Sequence, residues 1–174
     1  MADGAAGAAI VGAVGKQKPE QSFTNFPIVG FTRVIGTTDF FTQKQLGIIM
    51  AGGNWVMTQP TKGGPLLPKW ALTTNMTSVE TRTDSITKIV DFTAKFVRNG
   101  LRTFIGRFNI NQGFLDTLGN VLQGLLAFLQ EQGTPNGFTV NRIVQDENNP
   151  DVVLIDIRLS VPYPCNFIDI TLVI

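Results

Sequence analysis

Histidine is absent from this sequence, and cysteine occurs once, at Cys165. The first absence removes the commonest general base, the commonest zinc ligand and every Ser-His or Cys-His pair. The second removes any internal disulfide and fits a reducing compartment. Charge is scarce too: 16% of the residues are charged, against roughly a quarter in ordinary soluble domains. The 14 basic and 13 acidic residues are scattered and leave a net charge of +1. There is no basic run of the kind a nucleic-acid groove needs. Long apolar runs are missing as well. The opening stretch MADGAAGAAIVGAVGKQ stops at Lys16, too short to cross a bilayer. It has no basic n-region, and Asp3 sits where a signal peptide wants positive charge. The expectation is a soluble protein made in a cytoplasm, with neither nucleic acid nor membrane as partner.

The 174 residues suffice for one domain with a real core, and 43% of them are apolar. A chain rich in apolar and poor in charged residues has two explanations. Part of its surface is covered by sister subunits, or it is a monomer with an uncharged Thr/Asn/Gln surface.

Along the chain, residues 1–27 read as a leader: an Ala/Gly piece that forms a short helix or a flexible arm, then the loop-like KQKPEQSFTNFP. Residues 28–174 read as the core domain. IVGFTRVIG (28–36) has strand composition broken by glycines. TQKQLGIIMAGG (42–53) predicts a short helix with Thr42 as N-cap, stopped at Gly52-Gly53. NWVMTQ (54–59) and WALTT (70–74) read as short strands around a Pro/Gly loop. Residues 78–100 predict a helix with Ile86, Ile89, Val90, Thr93, Phe96 and Val97 on one face. Residues 111–133 predict a second, with a wide stripe from Leu115 to Leu129 that ends at Gly133. A connector, LRTFIGRF (101–108), joins them. Three strand signals follow. FTVNRIVQ (138–145) leads into the turn DENNPD. DVVLIDIRLSV (151–161) alternates, with Val153, Ile155, Ile157, Leu159 and Val161 on one face. After the ladder-breaking prolines of PYPC, NFIDITLVI (166–174) alternates again, with Ile168, Ile170, Leu172 and Ile174 on one face. Two long helices packed on one side of a mostly antiparallel sheet is the expected α+β architecture.

Chemistry is hard to find. Cys165 lies between Pro164 and Asn166 without a base and reads as a structural thiol. Glu80 and Asp84 share a helix face, where dipole complementarity accounts for them. DENNPD lacks the EF-hand pattern. No GxGxxG or GxxxxGK[ST] occurs. Trp55 and Trp70 read as packing residues. No cofactor, metal or catalytic set is expected, so the reading is a structural or interaction protein and not an enzyme.

The order of parts is familiar. WALTTNMTSVETRTDSITKIVDF leads into the first long helix. RNGLRTFIGRF connects it to a helix ending in LQEQG. GFTVNRIV, DENNPD, VVLIDIRLSV, PYP and NFIDITLVI follow. This resembles the C-terminal part of contractile-tail sheath proteins, over about 70–174 and more loosely over 28–69. The family is usually much longer, with an N-terminal arm and outward domains.

The resemblance implies a subunit that self-assembles as stacked rings, a helical polymer, around an inner tube. Arms add strands to neighbours' sheets, and contraction is a rearrangement of subunits. It implies a homo-oligomer whose further partners are the tail tube protein and baseplate and neck proteins, located in the virion tail after assembly in the host cytoplasm. The closing segment, through Phe167, Ile168, Ile170, Leu172 and Ile174, would serve self-association. The alternative is an internal strand paired with 151–161. Arg102 and Arg107 on the connector are the expected tube-facing residues, or else ordinary surface arginines. Rival readings are another tail part (tube, terminator or baseplate connector), and a soluble binding module or carboxylate enzyme.

Overall fold

A computed structural model describes residues 3–30, 41–61 and 63–173. They form two compact units: Met1–Thr87 with Tyr163–Ile174, and Lys88–Pro162.

The first unit opens with helix α1 (Asp3–Lys16). Its Ala9, Ile10, Ala13 and Val14 pack on a small core of Phe23, Ile28, Leu66 and Ala71. Helix α2 (Gln43–Ala51) starts at Thr42, whose hydroxyl accepts from the Gln45 N–H while the Gln45 side chain takes the Thr42 N–H. This reciprocal cap is the reason the helix begins there. Gly52 and Gly53 end it, Gly53 at φ +77°, as the sequence suggests. A small antiparallel pair, β1 (Met57–Thr58) and β2 (Leu67–Pro68), closes the Pro/Gly loop. A second core gathers Leu46, Met50, Val56 and Leu72.

The helix expected over 78–100 is broken in two. Helix α3 (Val79–Arg82) is a single turn, and α4 (Asp84–Leu101) follows. Between them Thr83 is extended, at φ −89° and ψ 117°. It bridges Leu72, and its hydroxyl donates to the Val79 carbonyl at 2.7 Å. A buried β-branched residue with a bridge partner in the preceding segment outweighs the helical period here. That bridge is also the only ladder contact at WALTT among the described residues, so the strand expected over 70–74 does not form.

In the second unit α4 runs to a 3-10 turn, Arg102–Phe104. Helix α5 (Gln112–Glu131) starts on Asn111, whose side chain accepts from the Phe114 N–H at 2.9 Å. Strands β3 (Gly137–Gln145) and β4 (Val153–Ser160) form one long antiparallel hairpin. Its turn is held by Asp146, which accepts from the Asn148 N–H at 2.9 Å. A bulge at position 141 shifts the register. Phe138, Val140, Ile143, Ile155, Ile157 and Leu159 pack on Val97, Leu122 and Leu126 from the two helices. The α+β class and the antiparallel pairing therefore stand as expected.

Residues 161–173 carry no regular secondary structure. Among the described residues no main-chain hydrogen bond joins them to another backbone group. Among the described residues strand β4 pairs with β3 alone, and the strand expected over 166–174 does not form. The prolines of PYP turn the chain out of the ladder. The strand expected at 28–36 falls largely, and Ile174 entirely, outside the described residues.

Candidate functional site

Two features of the molecule ask for a partner, and neither is a pocket for chemistry. The first is the closing segment. Ile168 is 79% exposed, Leu172 87% and Val173 91%, with Ile170 similarly bare. A run of large apolar side chains this exposed is unusual for a soluble monomer. Phe167, expected to act with them, has its ring against Trp70, centroids 5.1 Å apart and planes at 80°. The alternation was legible. What the sequence could not supply was a partner strand.

The second feature is the edge of the hairpin. Each strand of a two-stranded sheet has an open outer side. The two sides differ. Beside β3 the surface is polar, lined by Gln112, Asp116, Asn120, Gln123 and Arg142. The bulge at 141 also breaks the regular spacing of that edge. Between α4 and β4 lies an apolar groove of about 820 Å³, lined by Val90, Ala94, Val97, Leu101, Ile155 and Ile157 among others. Val90 belongs to the stripe expected to be core, yet it is exposed. At the groove wall Thr93 is 2% exposed, and its hydroxyl has no hydrogen-bond partner among the described residues. Strand β4 pairs without a bulge of its own across 153–160; it carries Asp156 and Arg158 but no proline or lysine.

Arg102 and Arg107 are both exposed, but the structure sets them in different surroundings. Arg102 lines the end of the α4–β4 groove. Arg107 lies beside a cluster of Phe104, Phe108 and Phe114, in which Phe108 and Phe114 stack with centroids 5.7 Å apart. Exposed Ile105 completes an apolar patch on this connector, where the sequence singled out only the two arginines. FIGRF spaces its rings for mutual contact, so the signal was present.

Among the described residues no group of three or more Cys, Asp or Glu is placed to hold a metal ion, and no helix is long and apolar enough to cross a membrane.

Comparison with solved structures decides the fold. A chain of the anti-feeding prophage baseplate superposes with a TM-score of 0.77 at 17% identity, over 93% of this chain and 47% of that one. The anti-feeding prophage helical sheath in its contracted state gives 0.74 at 16%, over 95% and 48%. The chain has the fold of a contractile sheath protein. The sheath tail protein Lin1278 of Listeria innocua gives 0.66 at 16% identity, over 87% of this chain and 37% of that one. The resemblance read from the order of parts is thus met at the level of the sheath fold. This chain spans less than half the length of each of these sheath-fold structures. No protein-family model and no curated relative matches the sequence.

Proposed function

We propose that the chain is a structural, non-enzymatic subunit of a contractile tail sheath. Copies assemble into stacked rings around an inner tube, and contraction is a change in how the copies pack. In this reading residues 28–174 carry the sheath core and residues 1–27 its leader, and the protein resides in the tail after assembly in the host cytoplasm. The observation that carries it is the pairing of two complementary defects in one chain: an exposed apolar segment at 168–173 and an open apolar groove beside strand β4. The segment of one copy joins β4 of the next as an added strand, giving main-chain hydrogen bonds along the edge. Ile168, Ile170, Leu172 and Ile174 point into the groove below α4. The length fits, since a further strand of six or seven residues matches most of the eight in β4. The polar, bulged side of β3 suits the apolar segment less well.

The exposed connector, with Arg102, Arg107, Ile105 and the phenylalanine cluster, is the face turned to the tube. Baseplate and neck proteins cap the polymer, and neither nucleic acid nor membrane is a partner. A second reading, a sheath-fold part confined to the tail's end, is favoured by the likeness to a chain of a baseplate structure.

Negative-stain microscopy of purified protein separates them: long tubes support the sheath, single rings the end piece. Removing 167–174 abolishes both assemblies while circular dichroism keeps its helical signal. Normal tubes from the shortened chain would end the strand-addition reading.

A further inference from the structure

The exposed segment does not begin where the last strand ends. Between them residues 163–167 are tied to the body of their own unit by side chains alone. Tyr163 Oη donates to Glu80 Oε1 at 2.8 Å. Thr24 Oγ1 donates to Asn166 Oδ1 at 3.0 Å. The Phe167 ring meets Trp70, whose ring also carries the Arg82 guanidinium 5.1 Å from its centroid. The holding groups come from separate stretches of the chain: the loop just after Phe23, the second residue after β2 and the turn of α3.

The Thr24 contact is committed. A hydroxyl has one hydrogen and two lone pairs. The hydrogen goes to Asn166, and the oxygen accepts from the Ala71 N–H at 3.2 Å and from Ser22 Oγ at 3.0 Å. Asn166 is thereby linked through one atom to the backbone beside Trp70. Pro162 and Pro164 fix φ on either side of Tyr163, so the tied stretch has few conformations to lose. Beyond Phe167 the ties stop, since no hydrogen bond is made by 168–173 among the described residues.

We infer that Glu80, Thr24 and Trp70 form a clasp on Tyr163, Asn166 and Phe167 that fixes where the mobile part of the arm starts and which way it leaves the body. These six are positioning residues. Their consequence for assembly rests on the reading of 168–173 as a donated strand. The clasp itself is a property of the single chain. The physical gain is preorganisation: ordering a residue costs about 1–2 kcal/mol of backbone entropy, and a root already fixed leaves only the distal residues to be ordered at docking.

The lone cysteine gives a direct test, because Cys165 is exposed and lies inside the tied stretch. A nitroxide placed there in the full chain, below the concentration at which polymers form, is expected to move slowly. In the Tyr163→Phe/Asn166→Ala/Phe167→Ala variant, which leaves the holding groups intact, its rotational correlation time falls at least about threefold. A nitroxide at 168 in a Cys165→Ser/Ile168→Cys chain is fast in either background. The variant also raises the concentration needed for polymer growth about tenfold, and Phe167→Tyr, which keeps the ring, restores it in part. Equal mobility at Cys165 in both chains overturns the clasp. A freed root with unchanged polymer growth overturns its positioning role. Should the chain lacking 167–174 still build tubes, the strand reading falls while the label at Cys165 still decides the clasp.

Discussion

At Glu80 a single proton decides a contact between distant parts of the chain. Its carboxyl is held below the ordinary value of 4.5 by its own backbone N–H, then by Ser78 and by the Tyr163 hydroxyl. Arg82 lowers it slightly further. Tyr163 is pushed above its ordinary 10.0, first by donating to Glu80 and then by desolvation and the carboxylate charge. A lowered carboxyl contributes above its unfolded pKa and loses that contribution as pH falls through the lowered value. A raised phenol contributes below 10.0 and loses it as pH rises past the raised value. The contact is therefore expected to hold across the neutral range and to loosen at both extremes. The Cys165 nitroxide checks this by becoming faster as pH falls through the lowered Glu80 value, and Glu80→Ala should remove the acid limb. Core residues behave differently. Leu122 is fully buried between the helices and the hairpin, so Leu122→Ala should cost about 2–5 kcal/mol of stability, read by urea unfolding.

Among the elements, those specified locally were legible and those specified at a distance were not. Thr42 with Gln45, and Asn111 ahead of a leucine stripe, announce their helices within four residues. The break at Thr83 is invisible, because its cause is Leu72, which no periodicity connects to it. The groove beside β4 was hidden for the same reason: Val90 and Val97 share a stripe in sequence, yet one is covered and the other is not. Likewise the alternation of 166–174 describes a strand, but a strand exists only with a neighbour. The contact of α4 with α5 yields a prediction at this scale. A Cβ on Gly100 would lie 2.4 Å from Leu125 Cδ1. Alanine gains about 1 kcal/mol in helix propensity, whereas overpacking costs about 1–3 kcal/mol. Gly100→Ala should thus destabilise modestly, and Gly100→Val more, since a β-branched residue adds bulk without the propensity gain. Thermal unfolding would show the ranking.

For the whole molecule the question is how tightly one arm holds one neighbour. Burying an exposed isoleucine or leucine is worth about 1.5–3 kcal/mol, and the apolar face of the arm has three such residues in the described chain. A net hydrogen bond adds about 0.5–1.5 kcal/mol, and a short added strand makes about six of them. Together these give roughly 12 kcal/mol. Fixing six or seven residues costs about 1–2 kcal/mol each, which is close to the same amount. One arm on one edge is therefore nearly neutral, and a clasped root matters because it shortens the stretch that must be ordered. Stability of a polymer must then come from many such contacts made at once, together with the faces between cores. A synthetic peptide of sequence NFIDITLVI carries the arm without its root or its body. It should bind the chain lacking 167–174 only in the millimolar range, while the intact protein assembles with a sharp onset at far lower concentration. Titration calorimetry measures the first and light scattering the second. Micromolar binding by the free peptide would mean that the edge alone holds the arm, and that neither the clasp nor the rest of the polymer is needed to keep it there.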